Sequence, residues 1–233
     1  MTDTLIPLES LSGARLVTAL ERRFDTVIDD IEVGNRTFTM LRPRNSDDLI
    51  REEDFVEDER LPYWADIWPA STILAGQILG RPGDGRRLLE LGCGVGLVTT
   101  AAMAAGYDVI ASDYYTDALA FTRANAFRNL GESPEASMMN WRNFPAEAKE
   151  FDKVIASDVL YESEYAKLLP RILVGALTLH GVALIADPGR IAAPEFLEVC
   201  EKTGLELLSN ETFKFSIGEI NQKITIYELG RTV

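Results

Sequence analysis

The chain has 233 residues, of which 46% are hydrophobic and 26% charged. That is enough apolar material for a packed core and excludes disorder as the general state. Its 23 basic and 37 acidic residues leave a net charge of −14, which repels phosphate backbones and anionic membranes and argues against nucleic-acid or membrane partners while leaving basic protein segments and small ligands open.

Two cysteines, Cys93 and Cys200, provide no disulfide framework, and a lone His180 leaves little from which to build a zinc site or a Ser-His-Asp triad. The start, Met1 to Pro7, lacks the basic-then-apolar order of a signal peptide. No apolar run approaches the roughly 20 residues of a bilayer span, so a cytoplasmic location is expected. Leu8 to Phe24 has apolar residues at helical spacing, and two strand-like runs, Thr26–Val33 and Arg36–Leu41, flank Gly34-Asn35 as in a β-hairpin. Asp47 to Glu59 holds eight acidic residues and one arginine, which reads as a solvated loop or, alternatively, as a contact for a basic partner. A helix begins near Trp68-Pro69.

From residue 88 onward, strands and helices alternate. Strands are expected at Arg87–Leu91, Asp108–Ser112, Glu135–Met139, Phe151–Ser157 and Gly181–Ala186, and helices at Val95–Ala105, Thr116–Asn129, Glu164–Leu177 and Ala193–Thr203. This alternation implies an α/β fold with a mostly parallel, doubly wound sheet. Two strands then follow in succession, Leu205–Phe215 and Gln222–Leu229. Their short connection makes the last strand antiparallel to its neighbour. His180 falls at a helix-to-strand turn, where a surface position is expected.

Gly92, Gly94 and Gly96 lie between a strand and a helix, where the backbone must turn tightly and a ligand can lie against bare amides. A dinucleotide fingerprint needs glycine at 97, where this chain has Leu97, and no Gly-Lys-Ser/Thr phosphate loop is present. Glu90 ahead of the loop suits a cationic or hydroxyl-bearing ligand. Asp113 ends the next strand, where a carboxylate can accept from two vicinal hydroxyls; the alternative for it is a helix N-cap.

Glu90-x-Gly92-x-Gly94-x-Gly96 resembles motif I of the class I S-adenosylmethionine-dependent methyltransferases. The resemblance implies a Rossmann-like seven-stranded sheet with an antiparallel last strand, and S-adenosylmethionine as cofactor. It gives Asp113 the ribose hydroxyls. Asn140-Trp141 after the third strand stands where relatives carry an Asp-Trp or similar pair, which implies a bond from Asn140 to the adenine amino group and ring packing by Trp141; core packing is the alternative for Trp141. Trp64 and Trp68 are aromatic walls that suit a sulfonium ligand or else core residues beside a helix start, Trp68 having the stronger claim on the cofactor, and Ser157 is placed in the cofactor shell. Asp158-Val-Leu-Tyr161 resembles the Asp-x-x-Tyr signature of the methyltransferase family 16 protein lysine methyltransferases. Pro62-Tyr-Trp-Ala with Asp187-Pro-Gly-Arg190 looks most like the branch acting on the electron-transfer-flavoprotein β-subunit. The resemblance implies an N-methyltransferase whose partner is a protein with an accessible lysine. Asp158 would orient the amine and Tyr161 would close the pocket, against capping and ordinary packing as alternatives. Asp187 and Arg190 either line the acceptor side or form a plain turn. Methyl transfer to a small-molecule amine or hydroxyl, and a non-catalytic scaffold, are the competing functions. The expected division is residues 1–60 as an N-terminal helix and hairpin extension and 61–233 as the methyltransferase domain.

Overall fold

Strands that are apolar on both faces require helices on both faces, and the chain supplies them in alternation. The computed structural model describes residues 6–50, 61–144 and 150–232. Strands β1 (Thr26–Val33) and β2 (Arg36–Pro43) form the expected antiparallel hairpin. The main sheet consists of β3 (Arg87–Leu91), β4 (Asp108–Asp113), β5 (Glu135–Met138), β6 (Phe151–Ser157), β7 (Leu177–Asp187), β8 (Leu205–Ile217) and β9 (Ile220–Arg231). Its order is β5-β4-β3-β6-β7-β9-β8. The pairs from β5 to β7 are parallel, and β9 lies antiparallel between β7 and β8.

The helices are α1 (Gly13–Arg23), α2 (Pro69–Leu79), α3 (Leu97–Ala104), α4 (Thr116–Leu130), α5 (Ser163–Ala176) and α6 (Ala193–Thr203). Alternate strand residues enter separate cores. Leu88 packs with α1 to α4 and the hairpin. Leu89 and Leu91 pack with α5 and α6 on the other face. β3 is followed by β4 on one side and flanked by β6 on the other, so the chain reverses its winding at the carboxyl ends of β3 and β6. A crevice opens there.

The hairpin is held by side-chain amides. Asn125 of α4 donates to the Leu41 carbonyl (2.8 Å) and accepts from its N–H (2.7 Å), and Asn129 does the same for Thr39 at 3.0 and 2.9 Å. Four residues apart, the two amides share one face of α4 and substitute for a neighbouring strand.

Several boundaries differ from expectation, three of them at element starts with a local cause. The first helix begins at Gly13 rather than Leu8, because Gly13 takes a left-handed φ of 56° against the Phe127 ring. α3 begins at Leu97 because Gly96, at φ 87°, is its N-cap. β7 starts directly at Leu177, which pairs with Phe151 ahead of a register shift. His180 therefore lies within a strand, though it is exposed as expected. Of the acidic run, Ser46–Leu49 is a 3-10 turn and residues 51–60 lie outside the described residues.

Candidate active site

The crevice is lined by residues brought to the carboxyl ends of β3, β4 and β6 and by the segment ahead of α2. Every residue singled out for the site lines it: Trp68, Glu90, Gly92, Gly94, Gly96 and Asp113 on one side, with Asn140, Trp141, Ser157, Asp158 and Tyr161 on the other.

The glycine loop is shaped by its packing as well as by what it can bind. A Cβ on Gly96 would fall 2.7 Å from Thr122 Cα of α4, and one on Gly94 would fall 3.0 Å from the Trp64 carbonyl oxygen. Both positions have positive φ, so the turn is closed to other residues on two counts. Trp64 itself is buried in the core beside Phe121, at a ring separation of 5.7 Å. Burial pushes the Cys93 thiol well above its ordinary value, so it remains a protonated thiol packed under the loop.

Asp113 does not cap α4, whose N-cap residue is Tyr115. Its Oδ2 accepts from Gly94 N–H at 2.9 Å and its Oδ1 from Tyr115 N–H at 3.0 Å. Burial raises its carboxyl from the ordinary value, opposed by the Tyr115, Gly94 and Tyr114 amides. A carboxylate has about four acceptor sites, so oxygen lone pairs remain for hydroxyl donors. Glu90 is inside the sheet, 1% exposed. Burial raises it to about 8, and the Thr99 hydroxyl donates to its Oε2. It stands behind the loop as a neutral acid, where the sequence had suggested a partner for a cationic or hydroxyl-bearing ligand.

Asn140 Oδ1 accepts from Arg142 N–H at 3.0 Å, capping the 3-10 turn Trp141–Asn143. Arg142 in turn forms a two-point pair with Glu164 of α5 at 2.9 and 2.6 Å. This anchors Trp141 edge-to-face on Tyr165, with ring centroids 5.1 Å apart. The same contact type continues from Tyr165 to Tyr161 at 5.2 Å, from Tyr161 to Tyr63 at 5.4 Å, and from Tyr63 to Trp68 at 6.0 Å. Five rings from three segments make one aromatic wall. Tyr63 and Tyr165 were not singled out from the sequence, because only tertiary packing brings them beside Tyr161.

Asp158 stands at the end of this wall with φ 58°, an uncommon value for a residue with a side chain. It caps no helix: the N-cap of α5 is Glu162. Its backbone N–H continues the sheet ladder to the Ala186 carbonyl at 2.8 Å. Its side chain is 5% exposed and pairs with Arg190 at 2.7 Å. Burial pushes its carboxyl up and Arg190 opposes that. Arg190 and Asp187 stand behind Asp158 rather than in the crevice lining.

The family described as Lysine methyltransferase has a sequence model that matches residues 47–202. The chain is 31% identical over 169 residues to the "Electron transfer flavoprotein beta subunit lysine methyltransferase" of Danio rerio, covering 70% of this chain and 63% of that protein. It is 33% identical over 133 residues to the Xenopus laevis protein of the same name, covering 55% of this chain and 53% of that one. The chain thus spans less than two thirds of the length of these curated relatives. Among solved structures, the magnesium protoporphyrin IX methyltransferase of Synechocystis PCC 6803 superimposes with a TM-score of 0.55 at 17% identity, over 70% of this chain and 80% of that one; this is a likeness of fold. With well over half of its length matched by the family's sequence model, the chain belongs to the lysine methyltransferase family.

Proposed function

We propose that the protein transfers a methyl group from S-adenosylmethionine to the side-chain amine of a lysine in another protein. The observation that carries this reading is the Asp158 carboxylate, held at the edge of the sheet between an aromatic wall and the glycine loop.

The residues present fit the cofactor. Asp113 has acceptor capacity for a pair of ribose hydroxyls, the glycine loop offers backbone without side chains, and Trp68, Trp141 and Ser157 line the same crevice. Asn140 keeps one Oδ1 lone pair and its amide N–H groups for an adenine edge. When bound, S-adenosylmethionine supplies a methyl group activated on a sulfonium sulfur.

The chain's own contribution is to orient the acceptor and keep it dry. A lysine ammonium has no lone pair, so the nitrogen enters as the neutral amine, its proton having passed to solvent water before the acceptor is enclosed. Asp158 accepts a hydrogen bond from that nitrogen and directs its lone pair toward the glycine loop. The rings of Tyr161 and Tyr63 line the crevice, where they exclude water and steady the positive charge that passes from the sulfonium to the methylated amine by cation–π attraction. A protein acceptor is supported by the open rim, where Tyr63 is 41% and Tyr161 42% exposed, since apolar groups around a site are covered by a macromolecular partner. The charge of −14 favours a basic docking segment over nucleic acid.

We read residues 61–233 as the methyltransferase domain and 1–60 as its extension, and we assign the protein to the cytoplasm. Cys93 and Cys200 are free and buried, and among the described residues no helix is long and apolar enough to cross a membrane.

The test uses the acceptor named for the relatives. Purified protein, methyl-labelled S-adenosylmethionine and electron transfer flavoprotein β-subunit should yield label on lysine by peptide mass spectrometry. If that acceptor stays unlabelled, and a lysate takes label only in its small-molecule fraction, the protein-lysine reading is contradicted.

A further inference from the structure

The cluster behind the acceptor site has a defined internal geometry. Arg190 Nε and Nη2 both reach the same oxygen of Asp158, Oδ1, at 2.9 and 2.7 Å. Oδ2 lies outside this fork, on a residue that lines the crevice. The guanidinium also lies over the Trp68 ring at 6.0 Å, so it is fixed from two directions. Its backbone is fixed as well: Asp187 Oδ1 accepts from Gly189 N–H at 2.7 Å and from Arg190 N–H at 2.8 Å. Asp187 is 0% exposed, and its Oδ2 has no partner among the described residues. The turn is thus set from inside the sheet and presents one cation to two buried carboxylates.

We propose that Arg190 is a positioning residue for Asp158: its fork takes Oδ1 and leaves Oδ2 for the acceptor amine, while Asp187 fixes the turn from which that fork is presented. This deepens the reading of Asp158 given above and rests on it. A planar two-point donor defines the direction of the second oxygen, and a lysine at the same position would supply charge without direction. Arg190 has a second effect. Burial disfavours the charged form of Asp158, and Arg190 opposes it; Asp158 in turn adds like charge at Asp187. At Asp158 the Arg190 guanidinium is what offsets burial, whereas Asp187 is also held down by the Gly189 and Arg190 backbone N–H groups. Other titratable groups share the crevice lining with Asp158, among them Tyr161 and Glu162, which follow it in the chain, Tyr63 and Tyr165 of the wall, and Glu90 and Asp113.

The test has an arm that needs no acceptor. In protein labelled with carbon-13 at aspartate carboxyls, the Asp158 signal is assigned by its absence from Asp158→Asn and followed through a pH titration. In Arg190→Met it should titrate higher by roughly one pH unit or more. Arg190→Lys should return most of that shift. With electron transfer flavoprotein β-subunit as acceptor, both variants should lose kcat by roughly tenfold or more, with S-adenosylhomocysteine affinity near that of the wild type. If Arg190→Met does not fold, Arg190→Gln replaces it with the same expectation. An unshifted Asp158 titration overturns the proposal, as does full kcat in Arg190→Lys or a loss confined to the acceptor KM. If wild-type protein labels no acceptor, the proposed function fails while the titration still decides whether Arg190 governs Asp158.

Discussion

Glu90 is the clearest case in which a residue's setting reverses the reading of its type. A carboxylate ahead of a glycine loop reads as a contact for a cationic or hydroxyl-bearing ligand, yet this one is buried at the base of the crevice beside Thr99. Burial, opposed by Thr99 and reinforced by Asp113, raises it to about 8. The consequence for stability has a definite sign. A carboxyl whose folded value is raised contributes stability below its unfolded value, near 4.5, and loses it as pH rises toward 8. Glu90→Gln keeps an acceptor for the Thr99 hydroxyl and removes the titration. Its stability relative to wild type should therefore climb by about 1.4 kcal/mol for each pH unit across that interval. Urea unfolding at pH 5, 6.5 and 8 measures this, and parallel wild-type and variant curves would contradict it.

At the scale of elements, α4 couples the N-terminal hairpin to the ligand loop through Asn125. Its amide serves both the N–H and the carbonyl of Leu41 and also donates to the Val95 carbonyl beside the glycines, at 2.8 Å. The residue is fully buried, so removing the amide strands three backbone groups. Asn125→Ala should cost roughly 3 kcal/mol or more in urea unfolding, at about 1–3 kcal/mol for each buried group left unpaired. Asn129→Ala, at a half-buried position, should cost less. Equal and small losses for both would show that the hairpin is held by apolar contact alone. This coupling was not visible in the chain, because asparagines four residues apart in a helix are ordinary surface residues until a strand edge is placed against them. The strand–helix alternation was visible, since burial on both faces forces near-continuous apolar runs. The misplaced boundaries fall where a positive-φ glycine or a strand that begins without a turn overrides local composition, at Gly13, Gly96 and Leu177.

At the scale of the whole molecule, the crevice joins halves that are far apart in sequence. The cofactor half was readable because its parts are local: three glycines, then an acid at the tip of the next strand. On the proposed acceptor side the sequence singled out Asp158 and Tyr161, with Asp187 and Arg190 as candidates that a plain turn explained equally well. The wall on that side also needs Tyr63 and Tyr165, and the cation paired with Asp158 is Arg190, 32 residues further on and part-exposed; the insertion of β9 between β7 and β8 was hidden in the sequence. The functional account divides along the same line, with binding on the side of β3 and β4 and acceptor orientation at the end of β6. The measurement that tests this most directly is single-turnover methyl transfer by Asp158→Asn, read beside its calorimetric affinity for S-adenosylhomocysteine. The account predicts affinity within about twofold of wild type and a transfer rate lower by roughly a hundredfold or more, the size associated with a positioned acid–base or electrostatic group. Weakened S-adenosylhomocysteine binding with an intact transfer rate at saturation would put Asp158 in the cofactor shell and contradict the account.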